Sequence, residues 1–273
     1  GCCMKAHALS LAGSKESEIE LPPVFFTPFR KDLIHKAYVN LDSHRYQRQG
    51  RHPTAGMDVV AMSNDPPTGH GTARIARMRG GGGGRQGQAG GVASTRGGRQ
   101  AHPPIVERVI YKKLNKKENT LALCSAIAAT ASKELVEMRG HKVEGIESFP
   151  IVVSDDIESV STAKEMKKIL DSLKLSQDIA RLSTRKARTG KSALRGRKTK
   201  IGKSILFVTK NPEKLARACG SFSGVDVIAA NNLSVLDLAP GAHPIRLTVY
   251  SKSAIDEIAK IKSTHLELMV NVR

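Results

Sequence analysis

The chain has 273 residues, a formal net charge of +19 at pH 7 and an apolar content of 40%. That apolar content can build a buried core, whereas 4% aromatic residues and no tryptophan argue against a binder that stacks bases on rows of rings. No apolar run approaches the roughly 18 residues of a membrane span and no secretory signal is evident, so we expect no membrane partner.

The four cysteines form no C-x-x-C pair, and no histidine lies at metal-finger spacing from them, so we expect no metal site and no cofactor. Cys124 and Cys219 lie in apolar helical patterns and are predicted to be buried core residues. This cysteine usage is typical of a reducing, intracellular compartment.

The first elements are predicted to be two short strands and a helix. The strands span residues 4–11 and 19–21. Thr27 followed by Pro28 is a helix-start pattern, which predicts a helix over residues 28–47.

Periodicity disappears from residue 50 to about residue 109, where glycine and proline are frequent and apolar residues are scarce. A segment of this length without a core of its own is usually functional or disordered. We predict a doubled-back extension over residues 51–110.

From residue 149 onward, short apolar runs alternate with helical patterns, which predicts a mostly parallel sheet covered by helices on both faces. The fold class is therefore α/β, with three layers in the order α/β/α. Asn115 and Glu118 form a capping-box pattern, and Ser253 and Asp256 form another that opens the final helix. The predicted strands are 149–154, 204–209, 225–229 and 246–250; before the final helix, the predicted helical segments are 115–138, 161–173, 211–219 and 233–238.

Two stretches carry +17 of the net charge of +19: residues 44–108 hold ten arginines against three acidic residues, and residues 181–203 hold ten basic residues and no acid. Charge concentrated in this way indicates a dense polyanion as partner, and nucleic acid fits best because each phosphate that is bound releases counterions. We predict that the second stretch, the basic block, is a loop or an extended helix end at one edge of the sheet. The predicted RNA-binding residues are Arg45, Arg48, Arg51, Arg74, Arg77, Arg79, Arg85, Arg96, Arg99, Arg185, Lys186, Arg188, Lys191, Arg195, Arg197, Lys198, Lys200 and Lys203.

In the first stretch, the use of arginine instead of lysine is a more specific indication of nucleic-acid binding than the net charge is. No lysine occurs between Lys36 and Lys112, and arginine binds phosphate in a planar, bidentate way and stacks on bases, as lysine does not. Disordered Arg-Gly tails are the alternative, but these usually lie at a chain end and contain interspersed aromatic residues. Here the segment is internal and no aromatic residue lies between Tyr46 and Tyr111, which favours a structured insert that threads into RNA.

The motifs that could carry catalysis are weak. Residues 190–192 (Gly-Lys-Ser) resemble the end of a phosphate-binding loop, but Arg185 stands where that motif needs glycine. Asp155 and Asp156 could hold a metal, although we favour the interpretation that they cap the following helix. The spacing of these residues indicates no Ser/His/Asp or Cys/His catalytic set, so we expect that the protein is not an enzyme.

The chain contains several short sequence motifs that occur in the same order in the large-subunit ribosomal protein four family, and it closely resembles the archaeal and eukaryotic branch of that family along nearly its whole length. The motifs are IELPPVF at 19–25, TPFR at 27–30, GHGTAR at 69–74, GGRQAHPP at 97–104, NKKE at 115–118, SAIAATA at 125–131, VVSDD at 152–156, RTGK at 188–191, RGR at 195–197 and APGAHP at 239–244.

The resemblance implies a three-layer body on the outer face of the large ribosomal subunit, and a long loop that enters ribosomal RNA and helps to line the nascent-peptide tunnel. It implies large-subunit ribosomal RNA, neighbouring ribosomal proteins and the nascent peptide as partners, and a location in the cytoplasm, in the ribosome. The chain ends soon after its last helix, which is typical of archaeal members.

We therefore expect residues 1–50 to form the first strands and helix of the body, residues 51–110 to form an RNA-penetrating loop, and residues 111–273 to complete the body, with the basic block at 181–203. The preferred function is that of a non-catalytic structural RNA-binding protein. A free RNA chaperone or regulator with the same surfaces is the alternative, and an α/β enzyme is a third possibility that the sheet alone supports only weakly.

Overall fold

The computed structural model describes residues 5–63, 69–71, 73–79, 84–183, 186–243 and 245–271. The chain divides into two compact units. The first, which we term the body, comprises Gly1–Asp42 and Lys113–Arg273, and the second, which we term the extension, comprises Ser43–Lys112. The extension thus begins before and ends after the loop predicted over residues 51–110.

The elements are as follows. The strands are β1 (Lys5–Leu9), β2 (Lys15–Glu20), β3 (Ala61–Met62), β4 (Arg77–Met78), β5 (Ile151–Val153), β6 (Lys186–Ala187), β7 (Thr199–Lys200), β8 (Leu206–Thr209), β9 (Asp226–Ala229) and β10 (Thr248–Ser251). The α-helices are α1 (Lys31–Asp42), α2 (Lys116–Ala129), α3 (Lys133–Met138), α4 (Ala163–Ser172), α5 (Ser176–Arg181), α6 (Lys191–Leu194), α7 (Glu213–Cys219), α8 (Val235–Leu238), α9 (Lys252–Ala259) and α10 (Thr264–Asn271).

The body is built on a six-stranded sheet with the strand order β2-β1-β5-β10-β8-β9. The five strands from β1 to β9 in that order are parallel, and β2 lies antiparallel at the edge. Because successive side chains of a strand point to opposite faces, Val152 joins one core cluster while Ile151 and Val153 join the other. The first cluster includes residues of α1, α2, α8 and α9, and the second includes residues of α3, α4 and α7. The predicted mostly parallel sheet between two helical layers is confirmed.

The predicted helix over residues 28–47 is wrong at its start and too long. Residues Pro23–Phe26 form a 3-10 helix, and α1 begins only at Lys31. The Ser125 hydroxyl explains the delay: it donates to the Pro28 carbonyl at 3.0 Å and accepts from the Arg30 N–H at 2.8 Å. The Pro28 carbonyl, which would accept one of the first intrahelical bonds of a helix starting there, is therefore bonded to α2 instead.

The single helix predicted over residues 115–138 is two helices, α2 and α3. The Thr130 hydroxyl donates back to the Ile127 carbonyl at 2.6 Å and lies 3.0 Å from the Tyr250 hydroxyl. A threonine that bonds locally to the backbone competes with the helical hydrogen bonds, so α2 ends at Ala129. The predicted start is correct, but Asn115 makes no side-chain capping bond.

The second predicted capping box is also displaced. α9 begins at Lys252, and the Ser251 hydroxyl accepts the Ala254 N–H at 3.2 Å. A capping box that was not predicted joins Ser234 and Asp237 at the start of α8. Three helices, α5, α6 and α10, were not predicted.

Candidate nucleic-acid interface

The two ends of the extension are joined by contacts at its base. The Ser43 hydroxyl accepts a hydrogen bond from the Lys112 N–H at 3.0 Å. The His44 ring stacks on the Tyr111 ring with centroids 5.5 Å apart, and the Arg48 guanidinium carbon lies 5.5 Å from the centroid of the same ring. A cation beside an aromatic face is attracted by the ring quadrupole. The two arms therefore leave the base side by side.

Further along, the arms stay in contact through small residues. Gly56 has φ +84, and a Cβ there would lie 2.5 Å from the Gly98 carbonyl oxygen. Only glycine tolerates both that backbone conformation and that approach. The Arg51 guanidinium donates to the Gln100 side chain across the same two arms. The frequent glycines therefore let two chain segments pack directly against each other.

Beyond these contacts, the extension contains a small antiparallel ribbon made of β3 and β4, with Ala61 opposite Met78. The half-buried Arg77 donates to the Gly87 carbonyl at 2.9 Å and to the Ala73 carbonyl at 3.4 Å. Arg77 was predicted to bind phosphate, and in the structure its guanidinium holds this part of the extension together.

The other arginines predicted in the extension are exposed. Residues 44–108 have ten arginines against three acidic residues, so the segment carries a strong net positive charge. An exposed array of guanidinium groups suits a polyanion. The exposed members are Arg45, Arg48, Arg51, Arg74, Arg79, Arg85, Arg96 and Arg99.

The basic block was predicted to be a loop or an extended helix end. It begins at Arg181, the last residue of α5, and its residues 186–200 form a short hairpin. β6 and β7 pair antiparallel with Lys186 directly opposite Lys200, and the Arg188 N–H bonds the Lys198 carbonyl at 2.8 Å. Between the strands lies α6, a single helical turn. Like charges that face each other across a strand pair are destabilising. We term residues 186–200 the basic hairpin.

The predicted ligands of the basic hairpin are presented to solvent, and one predicted ligand beside it is already paired. Lys186, Lys191, Arg195, Arg197, Lys198 and Lys200 are exposed, and Arg188 is partly buried. Lys203 forms an ion pair with Asp226 at 2.8 Å, which weakens its case as a phosphate ligand. Arg185 lies outside the described residues.

The groups that could support catalysis have structural partners. Asp155 accepts the Ser253 N–H at 2.8 Å, so it caps the start of α9 instead of the helix that follows it in sequence. Burial raises the pKa of the Cys124 thiol to about 11 and that of Cys219 to about 12, so neither is a nucleophile at neutral pH. Within the described residues, no group of three or more metal-ligating side chains comes together.

Sequence reasoning missed the role of Tyr111. The scarcity of aromatic residues indicated little stacking of rings. The Tyr111 ring nevertheless stacks on the His44 ring and lies against the Arg48 guanidinium at the base of the extension. The position of Tyr46 and Tyr111 at the two ends of the aromatic-free segment is the signal that could have indicated a joined base. In the part of the chain that the structure describes, no helix is long and apolar enough to span a bilayer.

Comparison with known proteins finds one family. Residues 19–261 match the model of the ribosomal protein L4/L1 family. The chain is 42% identical over 258 residues to large ribosomal subunit protein uL4 of Methanosphaera stadtmanae, covering 94% of this chain and 97% of that protein. It is 42% identical to uL4 of Sulfurisphaera tokodaii, covering 94% of each chain, and 43% identical to uL4 of Methanospirillum hungatei, covering 93% and 98%.

Proposed function

Because this chain belongs to the ribosomal protein L4/L1 family, we propose that it is a non-catalytic structural protein of the large ribosomal subunit. It works in the cytoplasm as part of the ribosome and binds large-subunit ribosomal RNA. The observation that carries this proposal is the family match over nearly the whole chain, together with +17 of the net charge of +19 in two segments.

The extension is the part of the protein that penetrates RNA and helps to line the nascent-peptide tunnel, where it also meets neighbouring ribosomal proteins. Its joined base and touching arms support this role, since a doubled-back segment that is already ordered loses less entropy when it binds. Its exposed arginines supply planar donors for phosphates and flat surfaces for bases.

The basic hairpin is a second RNA-binding element. The repulsion between Lys186 and Lys200 is relieved when a phosphate lies between the two side chains. The hairpin therefore gains stability from the same partner that it binds.

Density-gradient sedimentation tests the function. A structural subunit protein co-sediments with the large subunit in equal amounts and stays bound in high salt. The alternative, a free RNA chaperone, washes off in high salt, and an enzyme remains at the top of the gradient. Either of the last two distributions would contradict the proposal.

The salt dependence of binding to a ribosomal RNA fragment tests the basic hairpin. Changing Arg195, Arg197 and Lys198 together to glutamine should flatten the slope of log affinity against log salt by about two, because each phosphate that is no longer neutralised removes about 0.7–0.9 from that slope. The matched control changes the exposed Lys164, Lys167 and Lys168 of α4 to glutamine, which alters the net charge equally. An equal change of slope in both variants would show only a general effect of charge.

A further inference from the structure

A groove of about 520 Å³ lies within the extension, near its base. Its lining residues come from one segment of each arm, residues 46–49 and residues 104–112. The arms touch beside it, where Gly50 packs directly against the Val106 side chain with no room for a Cβ. A volume of this order suits a small planar ligand, since small-molecule sites span about 300–1,000 Å³.

Exposed apolar side chains are concentrated at this groove. Of the twelve exposed large hydrophobic residues in the part of the chain that the structure describes, five lie here: Tyr46, Ile105, Val106, Val109 and Tyr111. Tyr46 is 60% exposed and Val109 is 77% exposed. Single exposed apolar residues are ordinary, but a cluster of them marks a surface that another molecule covers.

The polar residues of the groove indicate what that molecule is. Arg108 and Lys112 line it, and neither side chain forms a hydrogen bond or an ion pair with the described residues. The side-chain amides of Gln47 and Gln49 line it as well and are equally available. No acidic residue is among the described residues that line it. A ligand with a negative charge and polar edges beside an apolar face therefore fits.

Arg48 also lines the groove, but we assign it no contact with the ligand. Its guanidinium carbon lies 5.5 Å from the centroid of the Tyr111 ring, so this cation already has an aromatic partner. The charge that remains for a ligand is that of Arg108 and Lys112, both of which are exposed.

An unstacked nucleobase of RNA has all the required properties. Its faces are flat and stack on aromatic rings, its edges form hydrogen bonds, and a phosphate adjoins it. We propose that this groove binds one unstacked nucleobase from a loop or bulge of ribosomal RNA. The base stacks on the Tyr46 ring beside Ile105 and Val109, and Arg108 and Lys112 bind the adjoining phosphate. The inference rests on the proposed function, since it takes RNA as the partner, and it adds a site for a base to an extension otherwise assigned to phosphates.

Two short RNAs test the site on the isolated full-length protein. Both are single strands of six nucleotides with the same phosphates; one carries a single adenine and is otherwise base-free, and the other is wholly base-free. The first should bind about tenfold more tightly, because stacking of one base on a ring raises affinity by about this factor. Equal affinities would overturn the proposal, and they are what a groove for a side chain of a neighbouring protein would give.

Substitutions at Tyr46 locate the base. Tyr46→Phe keeps the ring and should bind the one-adenine RNA like the parent protein. Tyr46→Leu keeps an apolar side chain without a flat face and should bind that RNA about tenfold more weakly. Neither change should alter the affinity for the base-free RNA, which reports that the rest of the surface is intact. Full affinity in Tyr46→Leu would exclude stacking on this ring.

The tyrosine resonances give a direct readout. The chain has only four tyrosines, so the ring signals of tyrosine-labelled protein are few, and Tyr46→Phe assigns one of them. The one-adenine RNA should move the Tyr46 ring protons upfield through the ring current of the base, whereas the base-free RNA should not. An unmoved Tyr46 signal, or a shift at Tyr111 instead, would contradict the assignment.

A charge placed in the groove tests its apolar wall. Val109→Glu should weaken binding of the one-adenine RNA about tenfold relative to Met138→Glu, which also replaces an exposed apolar residue and changes the net charge equally. The same loss in both variants would mean that net charge, and not this groove, determines the affinity. These titrations use no ribosome, so a failure in them leaves the sedimentation result readable, and a failure to co-sediment leaves the titrations readable.

Discussion

Arg246 is the clearest example of a charged residue used for the fold. It is 1% exposed, and it donates to the carbonyls of Ser204, Ile205 and Gly224 while forming an ion pair with Asp226 at 2.7 Å. Ser204 and Ile205 lie just before β8, Gly224 lies just before β9, and Asp226 is the first residue of β9. A buried guanidinium satisfied by several acceptors joins neighbouring strands at one edge of the sheet.

Arg246→Leu should therefore destabilise the protein by about 3–5 kcal/mol, because three carbonyls lose their donor and an ion pair is broken. Urea unfolding measures the change. The matched control is Arg217→Leu, a change at an exposed position of α7, which should lie within about 0.5 kcal/mol of the parent protein. A similar small change in both variants would show that the network around Arg246 contributes little.

The pKa values of Asp178 and His141 predict how the stability of the protein depends on pH. Burial would raise the pKa of Asp178, but hydrogen bonds from His141 and Arg181 outweigh it and hold that pKa below its usual range. Burial also lowers the pKa of His141, against the attraction of Asp178. Both groups therefore bind protons more readily in the unfolded chain, so stability is present at neutral pH and is lost as the pH falls.

The loss should begin near pH 6.5, where an unfolded histidine protonates, and steepen below about pH 4, where an unfolded aspartate protonates. Urea midpoints measured from pH 7 to pH 3 show both parts. His141→Gln should flatten the part between pH 7 and pH 5, whereas His35→Gln, at an exposed position, should leave it unchanged. A profile that is the same in all three proteins would exclude His141 as the cause.

Among the elements, the basic hairpin allows one substitution that should have opposite effects on the stability of the free hairpin and on its affinity for RNA. Lys200→Glu places a carboxylate opposite Lys186, so it should stabilise the free hairpin by about 0.2–1 kcal/mol. The same change should weaken RNA binding. Slower hydrogen exchange of the Arg188 amide, which bonds the Lys198 carbonyl, reports the first effect, and anisotropy with labelled RNA reports the second.

The control for this pair of measurements is Lys164→Glu on α4, an exposed lysine outside the hairpin. It should leave the Arg188 amide unchanged. Faster exchange in Lys200→Glu would mean that the two lysines do not repel each other in the free protein.

The sheet could be predicted because its signal is local and strong. β5 is wholly apolar, β8 is apolar except for Thr209, and both strands are buried, as is typical of strands in a parallel sheet covered on both faces. The helix ends could not be predicted so well, because distant residues determine them. Ser125 delays α1, and Thr130 with Tyr250 ends α2, and neither contact can be recognised from sequence spacing.

The positions of the charges could be predicted, but their partners could not. The sequence shows ten basic residues in 181–203, yet only the fold brings Asp226 to Lys203 and Lys186 to Lys200. Lys31, Arg139 and Arg181 are far apart in the chain and carry no motif, and only the fold brings them to one cavity.

At the scale of the whole molecule, the hydrophobic core and most of the arginine-rich charge belong to different units. Both core clusters are made from residues of the body, whereas residues 44–108 carry ten arginines. Stability is therefore a property of the body, and the function we propose for the extension does not require the extension to have a core. A change confined to the far part of the extension should consequently alter function without altering the fold.

The structure indicates where to make such a change. A Cβ on Gly91 would lie 3.9 Å from the Val59 side chain, so a short glycine–serine turn can replace residues 60–90. The contacts of Gly56 with Gly98 and of Arg51 with Gln100 remain. We expect an unchanged unfolding midpoint and normal occupancy of purified large subunits, because the basic hairpin and the arginines near the base, to which we assign RNA binding, are retained.

Ribosomes that carry the shortened protein should show altered nascent-chain pausing and altered sensitivity to tunnel-binding drugs, because the replaced segment is the part that we place at the tunnel. A second variant, Arg79→Gln with Arg85→Gln, keeps the length of the segment and removes two of its charges, so it separates the effect of length from that of charge. Absence of the shortened protein from the subunit would show that residues 60–90 are part of the anchor, and the division between anchoring and tunnel function would then be wrong.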